Sequence, residues 1–221
     1  MNKRKKLPIG IESFEEMRKE DFYYVDKTRW IEQLLAQWGK VNLFTRPRRF
    51  GKSYAANMLA AYYSKGADSE EMFFDLEIGK TEDFKKHLNK YDVIHIDVQW
   101  FLSSCADIKS IISYITQSVF EELKEYYPEV LPNEVLTLAD ALSRIRNSTG
   151  QKFIVIIDEW DILIRDEATN KAVQEEYIYF LRGLFKGTEP TKYIQLAYLT
   201  GILPIKKEKT QSALNNFDEF T

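Results

Sequence analysis

The sequence predicts an α/β fold of three layers, with helices on both faces of a mainly parallel β-sheet. Short segments rich in β-branched residues alternate along the chain with longer segments of helical periodicity. The segment "KFIVIID" is almost continuously apolar, which is typical of a strand covered on both faces, as in a parallel sheet. The length of 221 residues fits one domain with extensions.

The first half of the chain has four predicted elements before a polar, irregular stretch over residues 65–89. They are helices over residues 13–19 and 28–38, a strand over 41–45 and a helix over 53–64. Asp26 or Thr28 could cap the second helix.

The second half has three predicted strands, over residues 92–98, 152–161 and 193–204, and three predicted helices, over 107–126, 136–146 and 171–185. We divide the chain into an extension (1–40), a core (41–205) and the start of a truncated helical segment (206–221).

Composition excludes several classes of protein. A formal net charge of −3 argues against a protein that coats nucleic acid, although local basic patches remain. Cys105 is the only cysteine, so no intrachain disulfide can form, which fits a reducing compartment. The basic start is interrupted by Pro8, Gly10 and Glu12, unlike a signal peptide, and no run approaches the roughly 20 apolar residues of a membrane span. We expect a cytoplasmic protein that does not bind a membrane.

The stretch "LFTRPRRFGKSYAANML" resembles a phosphate-binding loop between a strand and a helix. Gly51 allows close backbone approach, Lys52 would contact the terminal phosphates, and the Ser53 hydroxyl would coordinate Mg²⁺. The usual glycine five residues before Gly51 is replaced by Arg46, followed by Pro47, so we expect a reshaped opening with an intact phosphate cradle. The predicted nucleotide-binding residues of this stretch are Arg48, Arg49, Phe50, Gly51, Lys52, Ser53 and Tyr54. Arg48 and Arg49 could instead be solvated loop charges or part of a nucleic-acid path.

A second motif, "FIVIIDEWD", has the form of a Walker B segment. Asp158 would hold Mg²⁺ and Glu159 would polarise the attacking water. The alternative is that these acids merely end a buried strand. Trp160 could pack over the site or simply end the strand.

The order of the motifs indicates a P-loop NTPase of the additional-strand, catalytic-glutamate class. The strand over 92–98 lies in sequence between the two motif strands, and we interpret it as the additional strand. Thr200, at the end of the next strand, falls where that class carries a polar sensor of the γ-phosphate. It could also be a simple cap.

Five stretches in this order resemble the AAA-ATPase-like family of bacterial proteins, which is related to archaeal and STAND ATPases: "LPIGIESFEEMRKEDFYYVDKT", "LFTRPRRFGKS", "IIDEWD", "YLTGILPI" and "SALNNFDEFT". The Arg-Pro form of the loop is this family's own variant. The resemblance implies ATP as ligand, an extension that packs near the nucleotide, and Tyr24, Val25 and Asp26 close to the adenine. It also implies a following helical segment and a PD-(D/E)XK nuclease-like domain, through which a protein or nucleic-acid partner could be reached.

Two functional hypotheses follow. The first is a Mg²⁺-dependent ATPase, with Lys52, Glu159 and Thr200 in catalysis, that drives a conformational switch in a larger protein. The second is a nucleotide-gated binding module that hydrolyses little and recruits a protein or DNA partner. Nucleic-acid binding as the main activity is disfavoured by the acidic charge balance, and Arg182 could reach a neighbouring subunit's site or simply be solvated.

Overall fold

The computed structural model describes residues 5–38, 40–165, 170–205 and 217–221. The helices of the first half are α1 (Phe14–Lys19), α2 (Trp30–Leu35), α3 (Lys52–Tyr63), α4 (Glu70–Phe73), α5 (Phe84–His87) and α6 (Val98–Ser104). Those of the second half are α7 (Ile111–Tyr126), α8 (Leu138–Thr149), α9 (Ile162–Arg165), α10 (Lys171–Phe185) and α11 (Pro190–Tyr193). The strands are β1 (Val41–Thr45), β2 (Asp92–Asp97), β3 (Phe153–Asp158), β4 (Ile194–Gly201) and β5 (Phe217–Phe220), and Ile78–Lys80 and Ile108–Ser110 form short 3-10 helices.

The five strands form one sheet in the order β2-β3-β4-β1-β5, and every neighbouring pair is parallel. β3 is buried along its whole length, as its unbroken apolar sequence predicts for a central strand. β2 alternates buried and exposed residues towards its end, and it lies at an edge. The interpretation of β2 as the inserted strand is therefore wrong, because β4 is the strand that lies between β1 and β3.

Apolar side chains cover both faces of the sheet, which confirms the predicted α/β class with its mainly parallel sheet. On one face, α7, α8 and α10 pack against alternate residues of the strands, such as Val155 and Leu199. On the other face, α1, α2 and α3 pack against residues such as Ile154 and Leu196. Within the described residues, no helix is long and apolar enough to cross a membrane.

Local hydrogen bonds explain several helix boundaries. The Asn170 side chain accepts from the Val173 N–H at the start of α10, and the Thr137 hydroxyl accepts from the Asp140 N–H at the start of α8. α8 ends at Thr149, and Gly150, which follows it, has a φ of 77° that suits a glycine C-cap.

The amino-terminal segment differs from the prediction. The helix expected over residues 28–38 is shorter, and neither Asp26 nor Thr28 is its N-cap, which is Arg29. Instead, the Asp26 carboxylate accepts from the Thr28 N–H at 2.8 Å and from the Glu77 N–H at 2.6 Å. The Thr28 hydroxyl accepts from the Ile78 N–H. The segment with Asp26 and Thr28 is therefore hydrogen-bonded to the residues that follow α4.

The end of the chain also differs. Phe217–Phe220 form a strand parallel to β1 where a helical segment was expected, because pairing here covers what would otherwise be an open edge of β1. Residues 206–216 lie outside the described residues, so the prediction for them, like the proposed boundaries of the extension and the core, stays a prediction.

Candidate functional site

The loop between β1 and α3 presents backbone donors at the start of a 12-residue helix. Arg49 and Gly51 have φ values of 68° and 75°, in the left-handed region. Glycine adopts that conformation easily, whereas arginine does so only at some cost. In the part of the chain that the structure describes, the N–H groups of Arg49, Phe50 and Gly51 donate to no other group. Such a set of free amides at a helix N-terminus is suited to binding an anion.

Arg46 shows how the loop opens without the usual glycine. Its backbone N–H donates to the Gly201 carbonyl at 3.0 Å, and its guanidinium donates to the Thr45 carbonyl at 2.9 Å. The chain thus leaves the sheet while still bonded to β4. Arg48, Arg49 and Phe50 are exposed beyond it.

Asp158 ends β3 beside the loop and is only 4% exposed. Burial raises the pKa of its carboxyl to about 6, although hydrogen bonds from the Ser53 hydroxyl and the Glu159 N–H oppose the rise. The negative charges of Glu159 and Asp97 add to it. A cation at this carboxylate would favour its charged form, and Ser53 is positioned to share that cation.

Glu159 follows with a φ of 49° and has both carboxylate oxygens paired with cations. Oε1 lies 3.2 Å from Lys52 Nζ, and Oε2 accepts from the Arg165 guanidinium. The Lys52 side chain is only 6% exposed, so Glu159 is its counterion inside the site. A phosphate bound to the loop would compete with Glu159 for Lys52.

Behind Glu159, Arg165 also binds a fully buried acid. Its Nε donates to Asp161 Oδ2 at 3.1 Å. The same carboxylate accepts from the N–H groups of Ile202 and Leu203, which follow β4. Arg165 therefore connects Glu159 to the end of the neighbouring strand.

Thr200 lies on β4, between the loop strand β1 and the acid-bearing strand β3. Thr200 is fully buried, and its Oγ1 makes no hydrogen bond of ordinary geometry within the described residues. The Tyr198 phenol is a polar group close to it. The predicted sensor residue thus adjoins the loop, since it lines one cavity together with Gly51 and Lys52.

Two cavities meet at the loop and share Gly51 and Lys52. The first, of about 740 Å³, is lined by Arg48, Arg49, Ser53, Tyr54, Asp158 and Glu159, among others. The second, of about 460 Å³, is lined by Phe50 and Thr200 together with residues of α2, β1, β4 and β5. The structure thus brings the two predicted motifs to one cavity, and Thr200 lines the adjacent cavity that shares Gly51 and Lys52 with it.

Tyr24, Val25 and Asp26 are not among the residues that line either cavity. The Tyr24 ring packs 5.9 Å from that of Tyr54, Val25 is 57% exposed, and Asp26 is occupied by backbone N–H groups. Their predicted place beside the adenine stays a prediction without support from this arrangement.

Sequence reasoning missed several polar residues of the site, among them Asp97, Asp161 and Arg165. Asp97 and Arg165 line the larger cavity, and Asp97 is in register with Asp158 on the adjacent strand. An acid at the carboxyl end of a second parallel strand was a usable signal for Asp97. Asp161 could have been noticed as the third acid of "DEWD", with Arg165 four residues later on a helix.

The oxygen atoms of Ser53 and Asp158 are suitable ligands for Mg²⁺. They suit it better than they suit a metal ion whose ligands all come from the protein. Among the described residues, no group of three or more His, Cys, Asp or Glu could hold a metal ion. Mg²⁺ usually takes one or two protein oxygens and completes its shell with phosphate oxygens and water.

The chain is similar to a family model and to individual known proteins. The model of the family described as "AAA-ATPase_like: Predicted AAA-ATPase" matches residues 8–210. An uncharacterized protein in the vnfD 5′ region of Azotobacter chroococcum mcd 1 is 28% identical over 221 residues, which are 99% of this chain and 41% of that protein. The solved ORC2 protein of Aeropyrum pernix, in ADPNP and ADP complexes, aligns with a TM-score of 0.40 and 13% identity over 89% of this chain and 48% of that chain. The chain spans less than half the length of either of these proteins.

Proposed function

Because the chain belongs to the AAA-ATPase-like family, we propose that it binds ATP with Mg²⁺ at the loop after β1 and hydrolyses it to drive a conformational change in a larger protein. One observation carries this proposal. The free amides of the loop and the Lys52 ammonium lie at the same cavity as the Asp158 and Glu159 carboxylates. Phosphoryl transfer to water needs this combination of anion cradle, metal-binding oxygens and base.

Each residue type has a role in that chemistry. The loop amides and Lys52 hold the phosphates, and Ser53 and Asp158 hold Mg²⁺, which neutralises the negative charge of the phosphates. Glu159 orients and deprotonates the attacking water once phosphate has drawn Lys52 away from it. Thr200 donates from its buried hydroxyl to the terminal phosphate.

A second candidate function is a nucleotide-gated module with negligible hydrolysis, which recruits a protein or DNA partner through parts of a longer protein. The pairing of both Glu159 oxygens favours it, because a carboxylate whose two oxygens are both bound by cations has neither oxygen free to orient an attacking water. Under this proposal ATP binds, but turnover does not exceed that of a variant without Glu159.

The first experiment measures the melting temperature with and without ATP and Mg²⁺. A ligand at about 100 times its Kd stabilises by about 2.7 kcal/mol. For a chain of this length we expect a rise of roughly 5–10 °C. Lys52→Ala should abolish the rise, whereas Lys85→Ala, at an exposed ion pair with Glu70, should keep it. An equal rise in Lys52→Ala, or none in the wild type, would contradict ATP binding at this loop.

A further inference from the structure

The cavity of about 460 Å³ has aromatic walls contributed by four different elements. Phe44 of β1 is stacked on Phe220 of β5, with ring centroids 4.7 Å apart and planes 13° apart. Trp30 of α2 lies 5.7 Å from Phe44 and 5.6 Å from Tyr198 of β4. Trp30, Phe44 and Phe220 are half-buried, so these rings border the cavity without being enclosed by the core.

The rim of this cavity carries a few polar groups and one small residue. The amides of Gln33 and Gln37, on α2, make no hydrogen bond within the described residues. Ala55, in the first turns of α3, has a small side chain and so leaves space in the cavity on the side of the phosphate-binding loop. An apolar slot with a small number of free donors and acceptors is the usual form of a site for a flat heteroaromatic ring.

The cavity adjoins the phosphate cradle, and this position restricts the class of ligand that it can hold. Gly51 and Lys52 line it as well as the cavity that holds the acids. A ligand whose phosphates lie on the loop amides can therefore extend its other end towards Phe44 and Phe220. Asp158, in contrast, ends β3, which is separated from β1 by β4.

We propose that this aromatic cavity is the nucleobase subsite, in which Trp30, Phe44 and Phe220 contact the purine ring of ATP. This inference rests on the proposed function, since it assumes that the loop binds the phosphates. It places the base on the β5 side of the loop, away from the segment containing Tyr24, Val25 and Asp26.

The test compares Mg²⁺-ATP with Mg²⁺-tripolyphosphate by isothermal titration calorimetry. Contact of a base with aromatic rings contributes about 1–3 kcal/mol, so ATP should bind the wild type roughly 5- to 150-fold more tightly than tripolyphosphate. Ala55→Leu fills the cavity and should lower the affinity for ATP to that for tripolyphosphate, while tripolyphosphate binding stays unchanged. Ala60→Leu is the matched control, because Ala60 lies on the same helix, is also half-buried and borders a different cavity.

Phe220→Ala shortens the opposite wall and tests the same point if Ala55→Leu does not fold. It should weaken ATP binding about fivefold or more and leave tripolyphosphate binding unchanged. Equal affinity of the wild type for ATP and tripolyphosphate, or wild-type ATP affinity in Ala55→Leu or Phe220→Ala, would overturn the base subsite and leave the phosphate cradle standing. Binding of neither ligand would overturn the proposed function together with the subsite.

Discussion

Glu159 is the base in the proposed mechanism, and contacts on several sides hold its conformation. A non-glycine residue with a φ of 49° costs on the order of 1–3 kcal/mol, so the surrounding contacts must maintain it. Its N–H donates to Asp158, and its carboxylate binds Lys52 and Arg165. The backbone therefore aims the carboxylate into the site, and the two cations hold its two oxygens in place.

Replacing Glu159 with glutamine should separate binding from hydrolysis. Glutamine keeps the size of the side chain but cannot accept a proton from water, so we expect steady-state ATP hydrolysis to fall by about two orders of magnitude or more. The thermal shift with ATP should remain. Glu122→Gln, on the exposed face of α7, serves as the control. Wild-type turnover in Glu159→Gln would remove this carboxylate from the mechanism.

Arg165 should act as a positioning residue for Glu159. Arg165→Met removes the cation between Glu159 and Asp161, so we expect kcat to fall about tenfold, with the affinity for ATP changed by less than about threefold. Arg165→Lys should restore part of the rate. Added to Glu159→Gln, Arg165→Met should cause almost no further loss, because both changes remove the same function.

Arg144→Met is the control for Arg165, since Arg144 is exposed on α8. A large loss of ATP affinity with unchanged kcat in Arg165→Met would show that the guanidinium contacts phosphate directly. Multiplying losses in the double variant would show that Arg165 acts independently of Glu159.

At the scale of elements, the ends of β3 and β4 act as one unit. The Trp160 N–H donates to the Thr200 carbonyl at 3.0 Å, and Asp161 accepts from the N–H groups that follow Gly201. Trp160 itself is fully buried, so it packs within this unit. A displacement of either strand end would move both the acids and Thr200.

Gly201 is required for this close approach. A Cβ at this position would lie 2.4 Å from Asp161 Oδ1 and 2.5 Å from Trp160 Cδ1. We expect Gly201→Ala to destabilise the fold by about 1–3 kcal/mol, as overpacked core substitutions do. Melting should then occur roughly 2–12 °C lower.

Gly183→Ala is the matched comparison, because a Cβ there meets open space in the last turn of α10. Alanine should raise stability by about 0.5–1 kcal/mol at such a helical position. If both variants melted at the same temperature, the contact of Gly201 with Trp160 and Asp161 would not be a constraint on the fold.

Elements with strong local signals were predictable from the sequence, and those defined by tertiary register were not. The bounds of β1 and α10 agree with the prediction, because both have a local boundary signal. A turn motif follows β1, and a capping residue precedes α10. α6 was missed, since "DVQW" continues a β-branched run. The structure turns there because Asp97 accepts from the Trp100 N–H.

The same distinction applies to the site. Gly51-Lys52-Ser53 and Asp158-Glu159 carry local motifs, and the structure brings them together. Asp97, Asp161 and Arg165 acquire their places only through strand pairing and the end of β4, which no local pattern encodes. The position of β4 between β1 and β3 is likewise a property of the assembled sheet.

At the scale of the whole molecule, the strand that carries the loop is protected by residues close to the end of the chain. β5 pairs with β1 at the sheet edge, and Phe217 contacts Phe185 of α10 with ring centroids 5.7 Å apart. Lys40 and Asp218 add an exposed ion pair at 2.9 Å. The phosphate loop is thus adjacent to an edge strand that is far from it in sequence.

Removing residues 217–221 should therefore weaken the fold and the site together. Loss of two half-buried phenylalanine contacts should cost about 2–4 kcal/mol, which lowers the melting temperature by roughly 4–16 °C. The rise in melting temperature with ATP should also diminish, because Phe220 borders the aromatic cavity. Asp218→Asn, which removes only the exposed ion pair, should cost less than about 1 kcal/mol and keep the full response to ATP. A shortened chain that melted and responded like the wild type would show that β1 needs no neighbour on this side, and that the loop is held by β4 alone.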